Sequence, residues 1–105
     1  MSRIVNVGLC EARHEMPVKD FIWSLIEAPM DFDGLTNHAR QWIDQQDFED
    51  HDYSAVNVYV TGLTTALTSF LIAWDNNKAR IPSRPTLSLL HFDRDNNSYK
   101  TQIWG

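Results

Sequence analysis

Between Val56 and Trp74 the apolar period changes from two to about 3.6, and that change constrains the fold more than any other feature of the chain. Val56, Val58 and Val60 alternate with Asn57, Tyr59 and Thr61, which describes a strand with two distinct faces. Thr61-Gly62 follows, and then Leu67, Phe70, Leu71 and Trp74 repeat at helical spacing, with Ile72 and Ala73 widening the stripe so that the helix reads as largely covered. A strand that feeds a helix after so short a turn is half of a βαβ unit, so a sheet with crossover helices is expected.

The rest of the chain supplies the other elements. Residues 4–10 read as a buried first strand carrying Ile4, Val5, Val7 and Leu9, followed by the loop "CEARHEMP". In "VKDFIWSLIEAP", Phe21, Trp23 and Leu25 alternate as in a strand, while Val18, Phe21, Ile22 and Leu25 would also suit a short helix; the strand is preferred. Asp31 or Asp33 can cap a helix whose Leu35, Ala39, Trp42 and Ile43 share a face. "QQDFEDHDYS" reads as an acidic surface loop, "DNNKARIPSRP" ends the second helix, and residues 86–92 and 98–104 form a hairpin around "DRDNNS". The expected fold is therefore a single α/β domain over residues 1–105: a small Rossmann-like, partly parallel sheet with flanking helices and a C-terminal β-hairpin, in two or three layers.

Composition narrows the function classes. The chain has 105 residues, 43% of them hydrophobic, and four Trp, enough for one core. A net charge of -5 with no run of Lys or Arg argues against a long nucleic acid as partner, since phosphate-backbone affinity needs clustered cations; a small anion held by a few donors is still open. The single cysteine, Cys10, excludes a disulfide framework and a four-cysteine zinc site. His14, His38, His51 and His91 show no metal-ligand spacing, so neither metal nor cofactor is expected. No segment reads as a signal peptide or a membrane span, which predicts a cytoplasmic protein.

Two stretches carry candidate chemistry. In open sheets of this kind ligands sit beyond the carboxyl ends of the strands, which places "CEARHE" and "TGLTT" on one rim. Gly62 permits a tight turn, the first amides of the following helix point outward at its positive end, and Thr61, Leu63, Thr64 and Thr65 complete a candidate phosphate cradle. The plainer reading is that Thr64 caps the helix. Arg13 could clamp a phosphate and His14 could move a proton near neutral pH, against the plainer reading of a solvated loop with local ion pairs. Cys10, at the end of an apolar strand, reads as a small buried residue. Trp23, Trp42 and Trp74 suit core faces, whereas Tyr53, Tyr59 and Trp104 are freer to stack or to line an interface.

In "LIEAPMDFDGLTNHARQWID", "VNVYVTGLTTALTSFLIAW" and the closing "PTLSLLHFDRDNNSYKTQIW", the chain resembles the small single-domain proteins of the CRISPR-associated Rossmann fold (CARF) group, which includes ring nucleases and binders of cyclic oligoadenylate. The resemblance implies a homodimer that holds a cyclic oligonucleotide second messenger, with Thr61, Gly62, Leu63, Thr64 and Thr65 at its phosphates and riboses and Arg13 and His14 nearby. It implies either a sponge or a metal-independent ring nuclease in antiviral signalling. In the nuclease, a ribose 2′-hydroxyl held in line attacks the phosphorus, Arg13 supplies the cation, the turn amides hold the oxyanion and His14 is the general base. The competing expectation is a small phage-type interaction protein that inhibits a host defence protein without ligand chemistry, which acidity and small size would suit.

Overall fold

The computed structural model describes residues 3–11, 17–46, 48, 53–61, 63–76 and 85–104. Seven elements follow in chain order: β1 (Arg3–Cys10), β2 (Phe21–Trp23), α1 (Phe32–Gln46), β3 (Tyr53–Val60), α2 (Thr64–Asn76), β4 (Thr86–Asp93) and β5 (Ser98–Trp104). The strands form one sheet in the order β2-β1-β3-β4-β5. Every neighbouring pair is parallel except β4 with β5, which form the antiparallel hairpin. This is the small Rossmann-like α/β fold expected from the period change after Val60.

Both described helices lie against one face of the sheet. Chain progression from β2 to β3 and from β3 to β4 runs in the same direction across the sheet, so right-handed connections place α1 and α2 on the same side. The two helices pack against each other there. The β1–β2 connection, residues 11–20, is shorter than the dozen or more residues that a helical crossover takes.

Alternation assigns the core to the helix side. Val7 lies beside Val58 and Val58 beside Leu89, while Val56 lies beside Leu87, and all five are buried. Against them α1 presents Leu35, Ala39 and Ile43, and α2 presents Ala66, Phe70, Ala73 and Trp74. On the other face, rows run straight across the strands: Asn6, Asn57, Ser88 and Ile103 in one, Gly8, Tyr59, Leu90 and Thr101 in the next.

Four details depart from the sequence reading. The alternation through Leu25 does not make a long strand: β1 ends at Cys10, which pairs with Trp23, so the chain beyond Trp23 has no strand to bond to and Leu25 is 74% exposed. The acidic segment contains a core anchor, because Phe48 is buried among Trp42, Tyr53 and Trp74 with ring centroids 5.1–6.5 Å away. Tyr53 and Ser54 belong to β3 rather than to that loop. Ile72 does not widen the covered stripe of α2; it is 48% exposed, because α1 and the sheet meet the opposite side of the helix.

The local chemistry at the ends of the elements explains why they stop where they do. Asp31 is the residue that caps α1: its carbonyl accepts from Leu35 N at 2.9 Å and its Oδ1 from Gly34 N at 3.2 Å. In the hairpin turn Asp93 accepts from Asp95 N at 3.0 Å and from Asn96 Nδ2 at 2.7 Å, and Asn97 takes the left-handed conformation, φ 51°. Trp104 Nε1 donates to Asp75 Oδ1 at 3.2 Å, tying the last strand to the end of α2 rather than leaving the indole free.

Candidate functional site

In an open parallel sheet the crevice for a ligand lies where successive connections leave in opposite directions. Here that point falls between β1 and β3, since β2 lies to one side of β1 and β3 to the other. Cys10 and Glu11 form one lip at the carboxyl ends of the strands, and Thr61 with Leu63 forms the other. The lips are joined directly: Thr61 Oγ1 donates to the Cys10 carbonyl at 3.3 Å. The Thr61 hydroxyl is thus committed to holding the crevice together. The Cys10 thiol is half-buried, and burial pushes its pKa above the ordinary value, more than the Thr61 hydrogen bond lowers it. At neutral pH it is a protonated thiol, in keeping with a packing role.

The start of α2 differs from that of α1. The Leu63 carbonyl accepts from Leu67 N at 3.3 Å, so Leu63 occupies the cap position and Thr64 is the first helical residue. The capping role considered for Thr64 is therefore not the one it plays. Leucine has no side-chain acceptor for the first-turn amides, and the Leu63 side chain instead packs against the core. The amides of Thr64, Thr65 and Ala66 lie at the positive end of the helix without a polar cap from Leu63, whereas Asp31 supplies one for α1.

Beside this helix end lies a groove of about 350 Å³ between the amino-terminal halves of α1 and α2, lined by Phe32, Thr36, Thr64, Thr65, Thr68, Ser69 and Ile72. No described lining side chain is charged. Thr68 Oγ1 donates back to the Thr64 carbonyl at 3.0 Å, but Thr65 Oγ1 is buried and has no hydrogen-bond partner among the described residues. Phe32, 53% exposed, forms an open aromatic wall. The arrangement can accept a phosphate on the α2 amides and an uncharged ring between Phe32 and the hydroxyls.

Of the residues singled out from sequence, Thr61, Leu63, Thr64 and Thr65 converge on this end of β3, though in different roles: a lip tie, a cap position, and two groove hydroxyls. Gly62, Arg13 and His14 lie outside the described residues. Phe32, Thr36, Thr68 and Ser69 were not anticipated. The signal for part of this set was present, because "TTALTS" repeats hydroxyls at positions 64, 65, 68 and 69, one face of a helix. Phe32 and Thr36 had no such signal, since their place depends on how α1 lies along α2.

The described histidines serve the framework. His38 Nε2 donates to the Ile22 carbonyl at 2.6 Å and its ring stacks on Trp23 at 5.2 Å, locking the end of β2 to α1. His91 Nε2 donates to Gln102 Oε1 at 2.9 Å across the hairpin. Among the described residues no three His, Cys, Asp or Glu side chains converge as a metal-ligand set, and no helix is long and apolar enough to cross a membrane.

Comparison with protein-family models, with curated proteins and with solved structures finds no match. The resemblance to the CARF group rests on the sequence pattern alone.

Proposed function

We propose that the protein binds a cyclic oligonucleotide second messenger, cyclic oligoadenylate or a related ring, at the β1/β3 switch point, as a sponge or a ring nuclease in antiviral signalling. One observation carries the reading: Leu63, which has no side-chain acceptor, takes the cap position of α2 at the carboxyl end of β3, directly beside a groove whose described lining offers hydroxyls and the Phe32 ring and no charge. A phosphate fits the amide end of the helix, and a base with its ribose fits the groove. Such a ligand recruits donors from the backbone and needs no basic patch, which agrees with a chain of net charge -5. Cleavage adds the roles assigned to Arg13 and His14, cation and general base for in-line attack by a ribose 2′-hydroxyl.

The test is retention of labelled cyclic oligoadenylates of several ring sizes by the purified protein, followed by thin-layer chromatography of the retained label. Retention that Phe32→Ala weakens supports the site. Linear products that disappear in Arg13→Ala or His14→Ala identify a nuclease, and retention without products identifies a sponge. Failure to retain any ring, or retention indifferent to Phe32→Ala and Thr65→Val, overturns the reading.

A further inference from the structure

The connection from β2 to α1, residues 24–31, turns large apolar side chains toward solvent: Leu25 is 74% exposed and Met30 71%. Its backbone is held in place. Asp31 N donates to the Ala28 carbonyl at 3.1 Å, closing a turn with Pro29 and Met30 at its corners, and the proline ring fixes φ at the first of them. Met30 therefore stands at the tip of a stiff turn. Leu25 borders a shallow dent of about 190 Å³ whose floor includes the buried Trp23 and Leu35 and whose rim carries the exposed Glu27 and Asp31. An apolar space of about 150 Å³ is enough for a benzene ring, so the dent can take one apolar side chain of a partner.

We infer that this surface docks a cationic amphipathic helix of a partner protein. Charge selects the occupant. From Asp20 to Ala39 the chain holds Asp20, Glu27, Asp31 and Asp33 and no Lys or Arg, and α2 contributes no cation either. A second copy would set carboxylates against carboxylates, and the phosphates of a nucleic acid or an anionic membrane would meet the same repulsion. A helix whose apolar stripe is bordered by Lys or Arg answers both properties of the surface. The stripe covers Leu25 and Met30 and sends one side chain into the dent, while the cations meet Glu27, Asp31 and Asp33.

Size and composition set the strength of the contact. Apolar patches on monomeric proteins reach about 300–600 Å², below the roughly 800 Å² per partner of stable interfaces, so this docking is transient. The unbranched Met30 side chain adapts its shape to what covers it, and the net charge of -5 draws a cationic segment in. The inference does not depend on the cyclic ligand. Leu25 and Met30 are not among the residues of the β1/β3 lips or of the groove at Phe32.

Fluorescence anisotropy with a labelled peptide of about 18 residues, built only from Leu at i, i+3, i+4 and i+7 and from Lys elsewhere, tests it. The expected Kd is about 1–100 μM, the scale of small transient contacts. Two control peptides, one with Lys replaced by Glu and one with Leu replaced by Ser, are expected to bind at least about tenfold more weakly, because each lacks one half of the match. The double variant Leu25→Ser with Met30→Ser should weaken the Leu/Lys peptide by about tenfold or more with an unchanged circular dichroism spectrum, since both side chains are exposed. Ile103→Ser, exposed on β5, should leave binding as it is. No binding of the Leu/Lys peptide, equal binding of the Ser/Lys peptide, or affinity indifferent to the double substitution overturns the inference. Self-association of the protein that the double substitution abolishes assigns the surface to a second copy and overturns it as well.

Discussion

Replacing Thr65 by valine exchanges one buried hydroxyl for a methyl of nearly the same size. In the structure Thr65 Oγ1 is buried without a hydrogen-bond partner among the described residues, so among them nothing replaces the water it has lost. A buried hydroxyl in that position costs about 1–3 kcal/mol, and a buried methyl contributes about 0.8 kcal/mol in the opposite sense. Valine and threonine have similar helix propensities, so the exchange isolates the hydroxyl. Because the surrounding groove is open at Phe32 and the gain is only partly realised, Thr65→Val is expected to stabilise the protein by about 1–2 kcal/mol, a rise in Tm of roughly 5–10 °C for a domain of this size. Urea unfolding followed by circular dichroism measures it, with an unchanged m value showing that only stability moved. Thr68→Val is the internal control: that hydroxyl is exposed and bonds back to the Thr64 carbonyl, and its loss should change stability by less than about 0.5 kcal/mol. A Thr65→Val protein no more stable than wild type would show that the hydroxyl is satisfied, and would remove one support for a ligand at this groove. If the ligand reading holds, the same variant binds more weakly while folding more tightly, as expected where a site stores unsatisfied polar groups.

Three further outcomes follow from the packing. A Cβ on Gly8 would run into the Phe21 ring, so Gly8→Ala should destabilise by about 1–3 kcal/mol and speed amide exchange in β2, whose sheet partner among the described residues is β1; wild-type exchange rates would refute the contact. Asp31→Ala removes the α1 cap and should cost about 1 kcal/mol in urea unfolding, with Asp31→Asn retaining most of the stability. Burial raises the Cys10 pKa, so its reaction with Ellman's reagent at neutral pH should be slower than that of a free cysteine. The sign for stability follows from the same shift: the folded state holds the thiol proton more tightly, so this contribution is complete below the unfolded thiol's pKa and is lost as pH rises through the folded one. A fast reaction at pH 7 contradicts the assignment.

What could be read along the chain was whatever depends on neighbours in sequence. The switch of period after Val60, the stripe of Leu35, Ala39 and Ile43, and the Asp and Asn turn of the hairpin are local patterns, and each produced the element expected. The extent of β2 was not local, because Leu25 continues the alternation but β1 has no residue beyond Cys10 to pair with it. Phe48 was hidden for the same reason: it sits among acidic residues in sequence and among Trp42, Tyr53 and Trp74 in space.

The site divides along the same line. Sequence alone determined that Thr61 to Thr65 join a strand to a helix, since a period of two meeting a period of 3.6 admits no other connection, and it placed hydroxyls on one face of that helix. Only the tertiary structure decided that Leu63, not Thr64, takes the cap position, that α1 brings Phe32 and Thr36 alongside, and that both described helices lie on one face of the sheet. Those outcomes depend on strand order and on which side each crossover takes, and both are set by packing between segments that are distant in the chain.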